Sequence, residues 1–428
     1  MKKHYLIIAI ETSLDETCAA VTVNDRVLSN VISSQVELHK KYGGVVPIIA
    51  KRAHEERIEA VMNESLKRAS VQLRRHAEFT RLAGSKRVSA SNRFRIKSGM
   101  TKQVQDDSIY SAIDAIAVTV GPGQALALEI GIKKAKSLAK KYRKPLIAVS
   151  HMEGHLLSSF ARNAAGNNPG GIHEKLSRHS EFISESNRFR IPSGILKVNK
   201  SGMTKQVQDD GIFPLLGLLI SGGHTQLVLV HGFGKYELLG ETLDDAAGEA
   251  FDKVGRMLGI GYPGGPIIER LAKDGDERAF NLPIPMRKRR DENFNFSYSG
   301  IKTALLYLTR ELKEQEKLDK QTIQNLAASF QRVVMLSLID KLELAVNKTN
   351  PKGILLGGGV ISNLYIRNHI RAAMSKLQLP VYIPYSKKLF TDNAAMIGVV
   401  AYFTAQRDEF VRNIDELDRM PNLSFARK

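Results

Sequence analysis

Cysteine is almost absent from this 428-residue chain: Cys18 stands alone, so no disulfide can form within it. That usage fits a reducing compartment and excludes a disulfide-stapled secreted scaffold. Long apolar runs are also missing, the longest falling well short of the roughly 18 residues a membrane helix needs. No membrane association is expected. Met1-Lys2-Lys3-His4 leads straight into an apolar strand with no small-residue cleavage site, so a cytoplasmic protein without a signal peptide is expected. The His-Glu-x-x-His of zinc proteases is nowhere present, which weakens any protease reading. Acidic residues are in deficit: 44 Asp and Glu against 63 Lys and Arg give a formal charge of +19. A surplus of that size suits a polyanionic partner, although solubility alone also accounts for surface charge.

What is present is a set of Gly-rich turns, each directly after a short apolar run. Tyr5–Ile10 runs into Glu11–Thr17, and Ala115–Val120 into Gly121-Pro122-Gly123. Leu215–Ile220 runs into Ser221-Gly222-Gly223-His224-Thr225, and 353–356 into Gly357-Gly358-Gly359. Turns without side chains at strand ends let backbone N–H groups approach a phosphate, so four of them point to a nucleotide cleft. The length favours two lobes.

One segment occurs twice. Ser91–Ile96 recurs as Ser186–Ile191, and Ser98–Asp107 recurs letter for letter as Ser201–Asp210. Two copies cannot build a solenoid, and their near-identity in unrelated surroundings marks a recent in-frame insertion. Residues 71–107 carry a net +6 and residues 174–210 a net +2, which leaves the rest of the chain at +11. Both copies are polar and lack a sustained apolar period, so loops or disorder are expected there. With them set aside, helices are expected near 49–69, 126–142, 246–258 and 323–347. Strands are expected at 19–23, 115–120, 146–149, 215–220, 227–230 and 353–356. A strand–turn–strand opens both halves, the pattern of a duplicated α/β domain with a cleft between the copies. Residues 1–150 are read as the first lobe, 151–400 as the second, and 401–428 as a tail or helix able to return to the first.

His151-Met152-Glu153-Gly154-His155 puts two imidazoles at i and i+4, on one face of a helix. The spacing suits a shared cation and equally two surface histidines. A third ligand is required, and Asp392 in Thr391-Asp392-Asn393-Ala394-Ala395-Met396 is an oxygen donor of the right kind. Glu153 is expected to point elsewhere.

Taken in order, these motifs resemble those of the TsaD family, the tRNA N6-adenosine threonylcarbamoyltransferases formerly described as O-sialoglycoprotein endopeptidases. The likeness runs through Glu11–Thr17, Tyr42–Pro47, Gly121–Gly123, His151–His155, Ser221–Gln226 and Asp244–Lys253. It continues through Tyr262–Pro266, Tyr298–Ala304, Ala327–Gln331, Gly357–Val360 with Asn363, and Thr391–Met396. The resemblance implies a duplicated actin-like ATPase (ASKHA) fold with an interlobe cleft. It also implies transfer of a threonylcarbamoyl group from threonylcarbamoyl-AMP to N6 of adenosine 37 in tRNAs reading ANN codons. It implies one iron or zinc ion on His151, His155 and Asp392. Substrate contacts carry over to Leu219, Ile220, Ser221, Gly222, Gly223, Asp252, Gly265, Glu269 and Asn363.

A base or orienting carboxylate would help the poorly nucleophilic N6, and Asp15 and Glu16 are the candidates, a turn-capping pair being the other reading. Met286–Arg290 beside Phe294, Phe296 and Tyr298 suits a splayed anticodon loop, or equally a solvated basic loop next to core aromatics. By resemblance the partners are tRNA, an actin-fold paralogue (TsaB-like), a P-loop ATPase (TsaE-like) and an upstream threonylcarbamoyl-AMP synthase. The paralogue is expected on helix 49–69. Ile48, Leu14, Phe390, Leu126 and Glu129 depart from the family pattern, which bears on rate more than on fold. The competing function is a non-catalytic actin-like scaffold that binds nucleotide.

Overall fold

The computed structural model describes residues 4–82, 110–173, 211–286 and 293–425. The first half contains β1 (Leu6–Glu11), β2 (Glu16–Val23), β3 (Arg26–Ser34), α1 (Val36–His39), α2 (Pro47–Leu82), β4 (Ala115–Gly121), α3 (Ala125–Tyr142) and β5 (Leu146–Ser150). The second opens with α4 (His151–Leu157), β6 (Leu215–Ile220), β7 (Thr225–Gly232) and β8 (Lys235–Glu241). It continues with α5 (Ala247–Met257), α6 (Gly264–Ala272), α7 (Ser299–Glu314), α8 (Lys320–Thr349), β9 (Ile354–Gly357), α9 (Leu364–Lys376), β10 (Val381–Tyr382) and α10 (Ala394–Gln406).

Each half builds one five-stranded sheet, in the orders β3-β2-β1-β4-β5 and β8-β7-β6-β9-β10. In each, the opening strand pairs antiparallel with the next and parallel with the fourth. Identical strand order and polarity in both halves is the duplicated two-lobed α/β fold expected from the repeated strand–turn–strand.

Strands buried on both faces need near-continuous apolar runs, and β1 and β6 supply them. Alternation then sorts the side chains. Ile8 and Ile10 face Met62 and Leu66 of α2 and Leu128 of α3, while Ile7 and Ala9 face the middle of the molecule. In the second sheet Leu216, Leu218 and Ile220 pack with Phe251 of α5 and Phe330 of α8, and Leu215 and Leu219 turn inward. Between the sheets lie α4 and α10. The sequence of α10, Ala-Ala-Met-Ile-Gly-Val-Val-Ala, is apolar all round because the first sheet covers one side and α4 the other.

One helix is longer than the periodicity suggests. The expected end near residue 69 is overrun, and α2 continues to Leu82, into what reads as the first inserted copy. Neither Gly nor Pro occurs between Val71 and Leu82, so nothing in that stretch stops the helix. Most of both copies (83–109 and 174–210), with the expectation of loops there, lies outside the described residues. After α10 the chain runs back along the first sheet: Val411 N donates to Leu146 O at 2.9 Å and Met420 N to Val120 O at 2.6 Å. No helix among the described residues is long and apolar enough to cross a membrane.

Candidate active site and metal centre

All four Gly-rich or acidic turns leave the C-terminal ends of the central parallel strands β1, β4, β6 and β9, the edge where open α/β sheets bind ligands. They meet in pairs through close backbone contact. Gly123 has φ +156°, and a Cβ there would stand 2.5 Å from Ser13 O. Gly358 has φ +92°, and its Cβ would stand 2.4 Å from Ile220 O. No L side chain fits either place, so glycine is what lets the turns of each lobe touch.

The histidine pair lies at this edge. Helix α4 starts directly after β5, so His151 and His155 project from its first and second turns toward Asp392, just ahead of α10. His151 Nε2 is 3.4 Å and His155 Nε2 3.1 Å from Asp392 Oδ1, with both imidazoles buried. Bonds of roughly 2.0–2.1 Å to a tetrahedral ion set neighbouring donor atoms about 3.3 Å apart. The donor set therefore fits a divalent cation, and it is the one such group among the described residues.

His151 has further partners on its other nitrogen. Its Nδ1–H donates to Glu11 Oε2 at 3.1 Å, and Ser13 Oγ lies 3.1 Å from the same atom. Glu11 is fully buried at the end of β1 and also accepts from Ser13 N and Thr119 Oγ1. A carboxylate on Nδ1 fixes the tautomer and turns the Nε2 lone pair toward the metal position. Sequence reasoning placed Glu11 only in a turn. Burial alone would depress the His151 pKa, yet Asp392 and Glu11 hold it well above the ordinary imidazole value. His155 goes the opposite way: burial and the charge on His151 lower it, against its hydrogen bond to Asp392. Asp392 is held well below the carboxylate range by both histidines despite its burial.

Asp15 and Glu16 end the same turn and hydrogen-bond to each other. Burial raises both carboxyls, Glu16 well above its usual range, and Asp392 repels both. The pair therefore holds a proton more tightly than free carboxyls do, the direction suited to accepting one and returning it. The Tyr262 hydroxyl feels Asp252, Asp15 and Glu16 together and, with burial, is pushed up to about 12. His224, which sequence reasoning left without a role, is driven down to about 4 by burial and by His151 and His155. Its position within Ser221–Thr225 was the available signal.

The family described as "TsaD: tRNA N6-adenosine threonylcarbamoyltransferase" matches residues 26–79, 101–186 and 196–399. The chain belongs to the TsaD family. Relatives named tRNA N6-adenosine threonylcarbamoyltransferase include one from Dictyoglomus turgidum, 37% identical with 94% of each chain covered. Others come from Clostridium perfringens (strain SM101), 37% identical over 99% of each chain, and Thermosipho africanus, 35% identical over 98% of this chain and all of the relative. Among solved structures, full-length HypF in its phosphate- and nucleotide-bound form aligns with a TM-score of 0.48 at 12% identity, covering 95% of this chain and 56% of that one.

The remaining positions matched to TsaD motifs divide into open and occupied groups. Leu219 and Ile220 are the buried last residues of β6, and Ser221 closes the turn by accepting from His224 N. Gly222 and Gly223 are exposed, and no atom lies within 4 Å of where a Cβ on either would sit, so their backbone faces open space. Asp252 accepts Gly264 N at 2.7 Å and is hydrogen-bonded by Gly265 N, joining α5 to the start of α6. Glu269 Oε1 accepts Leu364 N at 2.7 Å. Asn363 caps α9 through Ile366 N and donates to Gln331 Oε1 at 2.7 Å.

The aromatics beside the basic run need correction as stacking platforms. Phe296 and Tyr298 are fully buried in the second-lobe core, where no nucleobase can reach them, and Phe294 packs partly buried against that core. Arg287–Arg290 of the expected basic loop lies outside the described residues. The departures from the TsaD pattern are accommodated. Glu129 pairs with Lys133 and, at 3.5 Å, with Arg419 of the returning C-terminal segment. Phe390 is buried under the Arg367 guanidinium, and Ile48 is 62% exposed at the start of α2.

Proposed function

We propose that this chain transfers the threonylcarbamoyl group of threonylcarbamoyl-AMP to N6 of adenosine 37 in tRNAs reading ANN codons. The observation that carries the reading is the convergence of His151, His155 and Asp392 beside the open Ser221–Gly223 turn. The turn would supply backbone N–H groups for the adenylate phosphate, and Asp252 and Asn363 are the side chains assigned to the ribose hydroxyls. His151, His155 and Asp392 would hold a divalent iron or zinc ion, which when bound would supply Lewis-acid polarisation of the carbamoyl carbonyl.

In the transfer the N6 lone pair attacks the carbamoyl carbon, the bond from that carbon to the phosphate oxygen breaks, and AMP leaves. The N6 proton passes to the ionised member of the Asp15–Glu16 pair. Within the cytoplasm the substrate tRNA is drawn by the basic surface, since the chain carries +11 even without the two inserted copies. A TsaB-like paralogue docking on α2, a TsaE-like P-loop ATPase and an adenylate-forming synthase complete the proposed system.

The test is incorporation of labelled threonine into tRNA in the presence of bicarbonate, ATP, the synthase, the TsaB-like paralogue and the TsaE-like ATPase. Wild type transfers label, and His151→Ala lowers transfer at least a hundredfold. Adenylate binding without transfer by wild type would instead establish a nucleotide-binding scaffold.

A further inference from the structure

Helix α4 has only seven residues, too few to be stable on its own, so its tertiary contacts set where both histidines point. One side is packed by α10, with Gly154 against Met396 and Ile397. Glu153, between the two histidines, faces the other way. Its Oε1 accepts a hydrogen bond of 2.6 Å from the hydroxyl of Tyr236 on β8, which in turn accepts from Gly234 N at 3.1 Å. Phe425, from the returning C-terminal segment, sits edge-on to the Tyr236 ring with centroids 5.4 Å apart. Arg407 crowds Gly234, feels the Glu153 charge and is itself held by Glu409 at 2.8 Å. A carboxylate–phenol contact that joins residues 83 apart and is sealed by the C-terminal segment is an anchor, not a solvated side chain.

We propose that Glu153 and Tyr236 are positioning residues for the metal centre: their hydrogen bond sets the rotation of α4 and thereby the bite of His151 and His155 on the cation. Neither touches the metal position. The second sheet holds α4 through this strut and through direct packing of β6 and β9, while Asp392 comes from the chain leading into the helix packed on the first sheet. A change in the spacing of the two lobes therefore alters the ligand geometry. The inference rests on the reading of His151, His155 and Asp392 as a cation site.

The experiment measures zinc affinity of the full chain by chelator competition and records the visible spectrum of the cobalt(II) form. Outer residues that orient ligands typically change metal affinity 10–100-fold. Glu153→Ala and Tyr236→Phe should each bind zinc at least tenfold more weakly and shift the cobalt bands. Glu153→Gln keeps an acceptor for the phenol and should stay within threefold of wild type. The double variant Glu153→Ala/Tyr236→Phe should be no worse than Glu153→Ala alone. Tyr236→Phe removes one oxygen, so it serves should Glu153→Ala not fold. Unchanged affinity and spectrum in Tyr236→Phe would overturn the proposal, as would losses that add in the double variant, or a lowered melting point with wild-type cobalt bands. Wild type that binds no zinc would instead remove the underlying cation site.

Discussion

Changing Glu11 to Gln tests the metal centre without touching a ligand. The substitution keeps size and shape and removes the charge from a fully buried group. Both carboxylate oxygens face donors: Ser13 N lies on Oε1, with His151 Nδ1 and Thr119 Oγ1 on Oε2. An amide offers one acceptor and one donor, so either orientation sets its NH2 against a donor. With the amide oxygen toward Ser13, His151 must shift its proton to Nε2 and withdraw the lone pair from the metal. With the oxygen toward His151, Ser13 N is orphaned at the tip of the turn that carries Asp15.

A buried donor left unsatisfied costs about 1–3 kcal/mol, which corresponds to roughly 5–150-fold in affinity. Chelator-competition titration with zinc should therefore show Glu11→Gln binding weakened by one to two orders of magnitude. Far-ultraviolet circular dichroism should show the fold retained. Zinc binding within twofold of wild type would refute the orienting role of Glu11.

Metal affinity should rise with pH across the titration of His151, because its raised pKa means that binding releases a proton; a pH-independent zinc affinity between pH 6 and 8 would contradict this. In the metal-free protein the stabilisation from protonated His151 is complete below about 6.5 and fades as pH climbs through its raised folded value. Glu11 and Asp392 are lowered, so their contributions are complete above their unfolded values and are lost as pH falls. The thermal midpoint of metal-free wild type should therefore fall more than that of His151→Gln as pH rises above about 6.5. Gly123→Ala places a Cβ 2.5 Å from Ser13 O at a φ of +156°, and should cost about 1–3 kcal/mol, read as a lower thermal midpoint with weakened zinc binding.

Much of this architecture is legible in the chain because its strongest signals are local. Apolar runs ending in glycine mark β1, β4, β6 and β9, and the spacing of His151 and His155 marks one helix face. Asp392 was offered first as an oxygen donor by type, and only the resemblance joined it to the histidines, since nothing in its neighbourhood reveals a partner 237 residues earlier. Glu11 was hidden by a similar gap: its ligand-orienting contact spans 140 residues, and a turn glutamate looks like any other. Aromatics two apart, as in Phe294, Phe296 and Tyr298, do not disclose which will be swallowed by a core. The overrun of α2 had a readable cause in the missing glycine and proline, but the inserted copy masked it.

Both extra segments depart at the edge of the sheets opposite to the chemistry. The first begins within the last turns of α2 and ends before Tyr110, ahead of the entry to β4, and the second falls between His173 and Gly211, ahead of the entry to β6. The glycine turns and the histidines stand where those same strands finish. Cargo can thus be spliced in at the back door while the front door keeps its shape, which makes these two junctions natural points for affinity tags or fluorescent labels.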